Sequence, residues 1–187
     1  MKLDRQRQIE GFLALALFAL TIPAANWLIG HVGTTCVPNG PCLVPVWPGI
    51  EAPSGVVMIG LALVLRDIVQ RRLGPLAGLG AIAIGALISA FLAPPAIVVA
   101  SVAAFLLSEL ADFAVYTPLQ RRRFVAAVIA SSIVGLIVDS IVFLHLAFGN
   151  LDFVGGQIIG KAWMVLLALP LMHLLRRRDE RLGLAAA

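Results

Sequence analysis

The sequence has few charged residues and few cysteines. Charged side chains make up 13% of its 187 residues, about half the share typical of a soluble domain. It has only two cysteines, no collagen-like glycine period and no sustained heptad, which excludes a disulfide-rich secreted scaffold, a collagen helix and a coiled coil. With 60% apolar residues and a mean hydropathy of +1.00, the chain is too apolar to be disordered or to form a soluble globule of 19.8 kDa. An integral membrane protein is the class that remains.

Six stretches of the chain are apolar and long enough, or nearly so, to cross a bilayer as helices, which takes about 20 residues. They cover about residues 11–29, 54–70, 76–94, 95–118, 124–148 and 153–175. The third and fourth stretches are separated by Pro94 and Pro95, which favour a helix boundary. The sequence therefore predicts an all-α integral membrane protein, with residues 1–187 forming a single domain of six transmembrane helices.

Lysine and arginine are distributed unequally among the connections between these stretches. Thirteen of the fourteen precede the first stretch, follow the last, or lie at or near the second and fourth connections, with Arg66 counted near the second. The positive-inside rule then predicts that both termini are cytoplasmic and that the proline-rich loop at 30–53 lies outside. This distribution explains the basic cluster Arg121–Arg123 without a nucleic-acid partner. We expect a multi-pass protein of the bacterial inner membrane, with the lipid bilayer as its surroundings.

The loop at 30–53 contains both cysteines, Cys36 and Cys42. A Pro-Asn-Gly turn between them could bring the two sulfur atoms together. The outside of a bacterial cell is oxidising, so a disulfide is permitted there. Two free thiols are the alternative.

Ionisable side chains inside a membrane span are functional candidates, because each costs about 2.5–3.5 kcal/mol on insertion scales. Glu109 and Asp112 share one face of the fourth stretch. Asp139 and Lys161 lie at similar depths on neighbouring antiparallel helices, which predicts an ion pair. With Lys161 assigned to Asp139, the two acids of the fourth stretch have no cation, which suggests a ligand, a proton or a coupling ion. The alternative is that these charges only hold the helices together.

Further polar residues could join the same site. Gln157 shares a helix face with Lys161, and Asn26 is a polar residue in the first apolar stretch that could face the same cavity. Arg66 and Asp67, near the inner end of the second stretch, could form a simple pair at the membrane interface.

Enzyme signatures are missing from the sequence. There is neither an HExxH nor a GxSxG motif. The segment Gly155–Ala162 looks like a phosphate-binding loop, but alanine replaces the required serine or threonine and no strand precedes it. We therefore expect a protein that is not an enzyme and that uses no cofactor and no metal.

Four segments, taken in their order and spacing, resemble the VUT family of membrane transporters. They are Leu65–Gly74, Ser108–Asp112, Asp139–Ser140 and Gly156–Lys161, and the resemblance covers about residues 54–165. It implies six transmembrane helices, similar to the substrate-binding subunits of energy-coupling-factor (ECF) importers. It also implies import of queuosine precursors, which are 7-deazaguanines such as preQ0 and preQ1. The proline-rich loop around the two cysteines is not a feature of this resemblance.

A guanine-like ring has two adjacent N–H donors, and one carboxylate can accept hydrogen bonds from both. Glu109 or Asp112 is therefore predicted to bind that edge of the ring. Gln157 could donate to the ring carbonyl, and Lys161 could reinforce that contact. Trp27, Phe105 and Trp163 could stack on the ring. We consider two protein partners, a second copy of the chain in a homo-oligomer and an energy-coupling module. The alternative functions are a vitamin-binding subunit of an ATP-driven importer and a membrane scaffold that transports nothing.

Overall fold

A computed structural model describes residues 2–38 and 40–183. In this part of the chain, six α-helices pack into a bundle, and a small antiparallel sheet covers one end of it. The helices are α1 (Lys2–His31), α2 (Val56–Leu73), α3 (Pro75–Leu92), α4 (Val98–Leu119), α5 (Phe124–Phe148) and α6 (Val154–Arg181). The strands are β1 (Thr35–Cys36), β2 (Cys42–Trp47) and β3 (Ile50–Pro53).

The outer surface of the helices is apolar, and part of the interior is charged. Leu76, Phe91 and Val99 are 83%, 83% and 73% exposed, whereas Arg66 and Asp67 are completely buried. This arrangement is the reverse of that in a soluble protein and suits a lipid environment. Five of the described helices, α1 and α3 to α6, are long and apolar enough to cross a membrane. The protein is therefore a multi-pass membrane protein.

Helix α2 does not meet that criterion, although a span was predicted at 54–70. It carries Arg66, Asp67, Arg71 and Arg72 within 18 residues. It is also the central helix, because it packs against all five others and 13 of its 18 residues are buried. Charged groups are tolerated on α2 because protein, rather than lipid, surrounds them.

The helical architecture agrees with the prediction, and the loop at 30–53 adds a small sheet that the prediction did not include. The strand order is β1-β2-β3, with Thr35 opposite Leu43 and Val44 opposite Ala52. The β-branched and aromatic residues of β2 favour a strand, and the ladder becomes irregular between Pro45 and Trp47, since proline has no N–H to donate. A disulfide joins Cys36 to Cys42 across the β1–β2 pair.

Several contacts attach the sheet to the helices. The Ser54 hydroxyl donates to the Leu28 carbonyl oxygen of α1 at 2.7 Å. The Trp163 indole N–H of α6 donates to the Val46 carbonyl oxygen at 3.0 Å, and its ring stacks on that of Trp47. We call this end of the molecule the sheet end and the opposite end the terminal end.

At the terminal end, α1 and α6 extend beyond the predicted apolar stretches because their polar turns form ion pairs. Asp179 accepts hydrogen bonds from Arg71 and Arg72, at 2.7 and 2.9 Å. Glu10 lies 2.9 Å from Arg72 and 2.7 Å from Arg178. Three helices, α1, α2 and α6, are thereby joined. Helix α4 begins at Val98 rather than at residue 95, since the Pro94–Pro95 segment lies in the connection.

Candidate functional site

A cavity of about 560 Å³, counted with its mouth, lies among the six helices near the sheet end. Each helix contributes to its wall, together with Pro53 and Gly55 from the sheet connection. The remaining lining residues are Ile22, Ala25, Asn26, Ile29, Val56, Ile59, Ser89, Ser101, Phe105, Asp139, Phe143, Gln157 and Lys161.

Lys161 organises the polar side of this cavity. Its ammonium group donates to Asp139 Oδ2 at 2.6 Å, to Ser140 Oγ at 2.8 Å and to Gln157 Oε1. A lysine has three N–H donors, so all of them are used. The predicted Asp139–Lys161 ion pair is therefore present, and Lys161 is 1% exposed at its side chain.

This arrangement determines which groups of Gln157 and Asp139 remain available. Because Gln157 Oε1 accepts from Lys161, its NH₂ group is the end that can donate to a ligand. Asp139 keeps acceptor capacity, since none of the described side chains donates to Oδ1 and its carboxylate is 10% exposed. The cavity thus presents a carboxylate acceptor and an amide donor side by side.

Helix α2 approaches this site closely at Gly60. A Cβ atom built there would lie 2.6 Å from the Lys161 carbonyl oxygen and 3.0 Å from Met164 Cβ, both on α6. Only a residue without a side chain allows the two backbones to pack at this distance. Gly60 was not among the predicted site residues. The sequence alone does not distinguish a glycine that lies against a site from one that serves ordinary helix packing.

The other predicted contacts lie on the apolar walls. The Asn26 amide donates to the Ile22 carbonyl oxygen at 3.0 Å, which leaves its own oxygen as an acceptor at the cavity. Of the three predicted stacking residues, Phe105 lines the cavity, whereas Trp27 is 57% exposed and Trp163 packs on the sheet.

Glu109 and Asp112 belong to a second charged group, which does not line the cavity. Arg66 Nε donates to Glu109 Oε2 at 3.0 Å, Arg66 Nη2 donates to Asp112 Oδ1, and Arg66 Nη1 lies 2.9 Å from Asp67 Oδ1. These four side chains, which we call the Arg66 cluster, are each at most 2% exposed. Arg66 therefore binds a different carboxylate with each of its three nitrogen atoms.

Two interpretations of these residues were wrong. Glu109 and Asp112 do have a cation, and Arg66 and Asp67 do not form an isolated pair at the membrane interface. Arg66 lies seven residues, or roughly 10 Å, before the end of α2, which carries it into the interior opposite α4.

Neutral groups complete the surroundings of the Arg66 cluster. Gln70 Oε1 accepts from Arg66 Nη1 at 3.0 Å, and the Tyr116 hydroxyl donates to the Asp67 carbonyl oxygen at 3.3 Å. Ser131 Oγ of α5 donates to Asp67 Oδ2 at 3.4 Å. These contacts hold α2, α4 and α5 around one guanidinium group.

The sequence model of a protein family described as "putative vitamin uptake transporter" matches residues 53–175, about two thirds of the chain. The chain belongs to this family, the VUT family. The matched segment of the VUT protein contains the Arg66 cluster and the Asp139, Gln157 and Lys161 side of the cavity, whereas Asn26 lies outside it. No curated protein and no solved structure matches the chain.

Proposed function

We propose that this VUT protein imports queuosine precursors, which are 7-deazaguanines such as preQ0 and preQ1. The observation that carries the proposal is the adjacent carboxylate of Asp139 and amide of Gln157 in a mostly apolar cavity to which all six helices contribute. Membership of a transporter family supports the transport step, and the side chains support the choice of substrate.

The edge of a guanine ring has a carbonyl acceptor, a ring N–H donor and an exocyclic amine donor in a row. In the proposed complex, Asp139 accepts from the two donors, and the Gln157 NH₂ group donates to the carbonyl oxygen. Lys161 holds both side chains in the orientation that this contact needs. Phe105 and Phe143 offer aromatic surface to the faces of the ring.

In this proposal, Asp139 takes the role that the sequence predicts for Glu109 or Asp112. The reason is geometric, because Arg66 engages both of those carboxylates and neither lines the cavity. Asn26 also lines the cavity, and its side-chain oxygen could accept from a third ligand donor.

We further propose that α2 is a sixth membrane crossing and that both termini are cytoplasmic, in the inner membrane. The distribution of lysine and arginine supports this orientation, since twelve of the fourteen lie toward the terminal end, and the other two, Arg66 and Lys161, are in buried ion pairs. The sheet and its disulfide would then face the oxidising outside. The cavity lies nearer to that end, because its lining includes Pro53 and Gly55 beside the sheet.

The test uses a bacterial strain that cannot make preQ0 and lacks its own importer. External preQ0 should restore queuosine in tRNA only when this gene is expressed. Excess guanine should compete for uptake, whereas adenine should compete poorly, because adenine has an acceptor where guanine has its ring N–H. If queuosine is not restored in a strain that inserts the protein into its membrane, the proposed substrate is refuted.

The variant Asp139→Asn tests the proposed contact. It keeps the shape of the side chain but places an NH₂ group against the ligand's donors. A charge-assisted contact contributes about 1.5–3 kcal/mol, so the affinity should fall roughly ten- to a hundredfold. The exposed Asp152→Asn makes the same chemical change away from the cavity and serves as the matched control.

A further inference from the structure

The Arg66 cluster contains more negative than positive charge. If Asp67, Glu109 and Asp112 were all ionised, the cluster would carry three negative charges against the single positive charge of Arg66. Among the described residues, no second lysine or arginine pairs with these acids. The other buried cations of the described chain are engaged elsewhere, Lys161 with Asp139, and Arg71 and Arg72 with Asp179.

Two uncompensated charges in the interior of a membrane protein are unfavourable, and a bound proton or another cation removes part of that charge. A metal ion does not suit the site. Arg66 occupies the space between the carboxylates, and within the described ranges no group of three or more acidic, histidine or cysteine side chains is arranged to hold a metal. A proton needs only one oxygen atom, and adjacent carboxyls readily share one.

Two buried carboxylate oxygens of the cluster, Asp67 Oδ1 and Asp112 Oδ2, accept no hydrogen bond from the described atoms. Asp67 Oδ1 lies 2.9 Å from Arg66 Nη1, so Asp112 Oδ2 is the oxygen available for this proton. Asp112 Oδ1 accepts from Arg66, but Oδ2 is buried and has no hydrogen-bond partner among the described atoms. Gly135 of α5 lies against this oxygen, since a Cβ atom built there would be 3.3 Å from it. Ser132, also on α5, has a hydroxyl that is buried and unpartnered as well. Buried polar atoms are normally paired, so an unpaired acceptor beside two other acids points to a bound proton.

The groups that surround Asp112 come from three helices. Helix α2 provides Arg66, Asp67 and Gln70, α4 provides Glu109 and Tyr116, and α5 provides Ser131. The next ionisable side chains toward the sheet end are Asp139 and Lys161, which neutralise each other. Arg66 is the only cation in this set.

The cluster lies beneath the substrate cavity on the helices that line it. Ile59 of the cavity and Arg66 are seven residues apart on one face of α2, or about 10 Å along the helix. Phe105 of the cavity and Glu109 are one turn apart on α4, about 6 Å. A change in the charge of the cluster therefore acts on the same helices that hold the substrate.

We propose that the Arg66 cluster is a proton-binding site, and that proton uptake by Asp112 couples substrate transport to the proton gradient across the membrane. The carboxylate takes one proton and becomes a neutral carboxyl group, which weakens its attraction to Arg66. The packing of α4 on α2 then differs between the two protonation states, which is what coupling requires. This inference rests on the proposed transport function.

The first experiment uses the purified full-length protein in liposomes with labelled preQ1. Counterflow without any ion gradient tests whether the substrate is carried at all. An acidic outside should raise accumulation at least tenfold above the level without a gradient, whereas an inward sodium gradient should not. Asp112→Asn, which mimics the neutral carboxyl, should retain counterflow but lose the response to the proton gradient. The exposed Asp152→Asn should behave like the wild type.

The second experiment is an infrared titration of the same liposomes without substrate. The wild type should show the carbonyl stretch of a protonated carboxyl group, and Asp112→Asn should reduce it by the equivalent of one group relative to Asp152→Asn. Counterflow with no response to the proton gradient, or a response kept in Asp112→Asn, would overturn the coupling. If counterflow is absent, the substrate proposal fails. In that case, loss of the infrared band in Asp112→Asn still supports the proton site. An infrared spectrum unchanged by Asp112→Asn overturns the proton site.

Discussion

Breaking the Asp139–Lys161 pair from either side should have unequal effects on stability. In Lys161→Gln, the Asp139 carboxylate, whose side chain is only 10% exposed, is left without its cation. A buried charge that loses its partner typically costs about 3–5 kcal/mol. In Asp139→Asn, Lys161 keeps Ser140 Oγ at 2.8 Å and Gln157 Oε1 as acceptors, and it can also release a proton. That variant should lose only about 1.5–3 kcal/mol, the usual contribution of a hydrogen bond to a charged group.

The double variant Asp139→Asn/Lys161→Gln leaves no charge in this part of the cavity. It should be more stable than Lys161→Gln alone by about 1–3 kcal/mol, because an amide pair replaces an unpaired carboxylate. The free energy of unfolding would be measured for all three variants in the same detergent. Arg176→Gln with Glu180→Gln is the matched control, an exposed pair four residues apart on α6 whose removal should cost about 0.3–0.5 kcal/mol.

An additive result would refute this reasoning. If the double variant loses the sum of the two single losses, the two charges do not stabilise each other, and Lys161 acts only through its neutral contacts. A larger loss for Asp139→Asn than for Lys161→Gln would contradict the assignment of the unpaired carboxylate as the more costly group.

Three other expectations follow from the geometry. Gly60→Ala should lower the free energy of unfolding by about 1–3 kcal/mol, because its Cβ would meet a carbonyl oxygen of α6 at 2.6 Å, whereas Gly80→Ala, with no atom within 4 Å, should be neutral or slightly stabilising. Cys36→Ser should weaken the sheet by ~2 kcal/mol and increase proteolysis of the loop, with helix content unchanged by circular dichroism. Reporter fusions after Arg123 and at the carboxyl terminus should both report the cytoplasmic side, and an outside signal at either would refute the proposed topology.

The Asp139–Lys161 contact could be predicted because short connections constrain depth. Asp139 lies ten residues before Gly149, and Lys161 lies eight after Phe153, so a tight turn between antiparallel helices puts them level. Both helices rise about 1.5 Å per residue, so similar numbers of residues from the turn correspond to similar depths. No such rule relates α2 to α4, which are separated in sequence by α3.

Arg66 was misplaced because arginine near the end of an apolar stretch ordinarily marks the interface. The contrary signal was the charge of α4, since two acids on one buried face require a cation from another helix. Depth along α2 also pointed inward, but only once the helix was known to end at Leu73. The sheet was missed for a different reason, because five prolines between residues 38 and 53 suggest irregular structure more strongly than the short β-forming run of β2 suggests a strand.

Helix α2 connects the substrate cavity to the charged groups at the other end of the molecule. Its 18 residues extend about 27 Å, close to the thickness of a hydrocarbon core. Ile59 lines the cavity, Arg66 holds the three acids, and Arg72 joins the ion pairs with Glu10 and Asp179 at the terminal end. The charges that make α2 too polar to face lipid can be satisfied because five helices enclose it. Since the polar contacts of α2 reach α1, α4, α5 and α6, a rearrangement of the helices that admits or releases a substrate would exchange some of these contacts. Helix α2 is therefore where substrate and proton binding can influence each other.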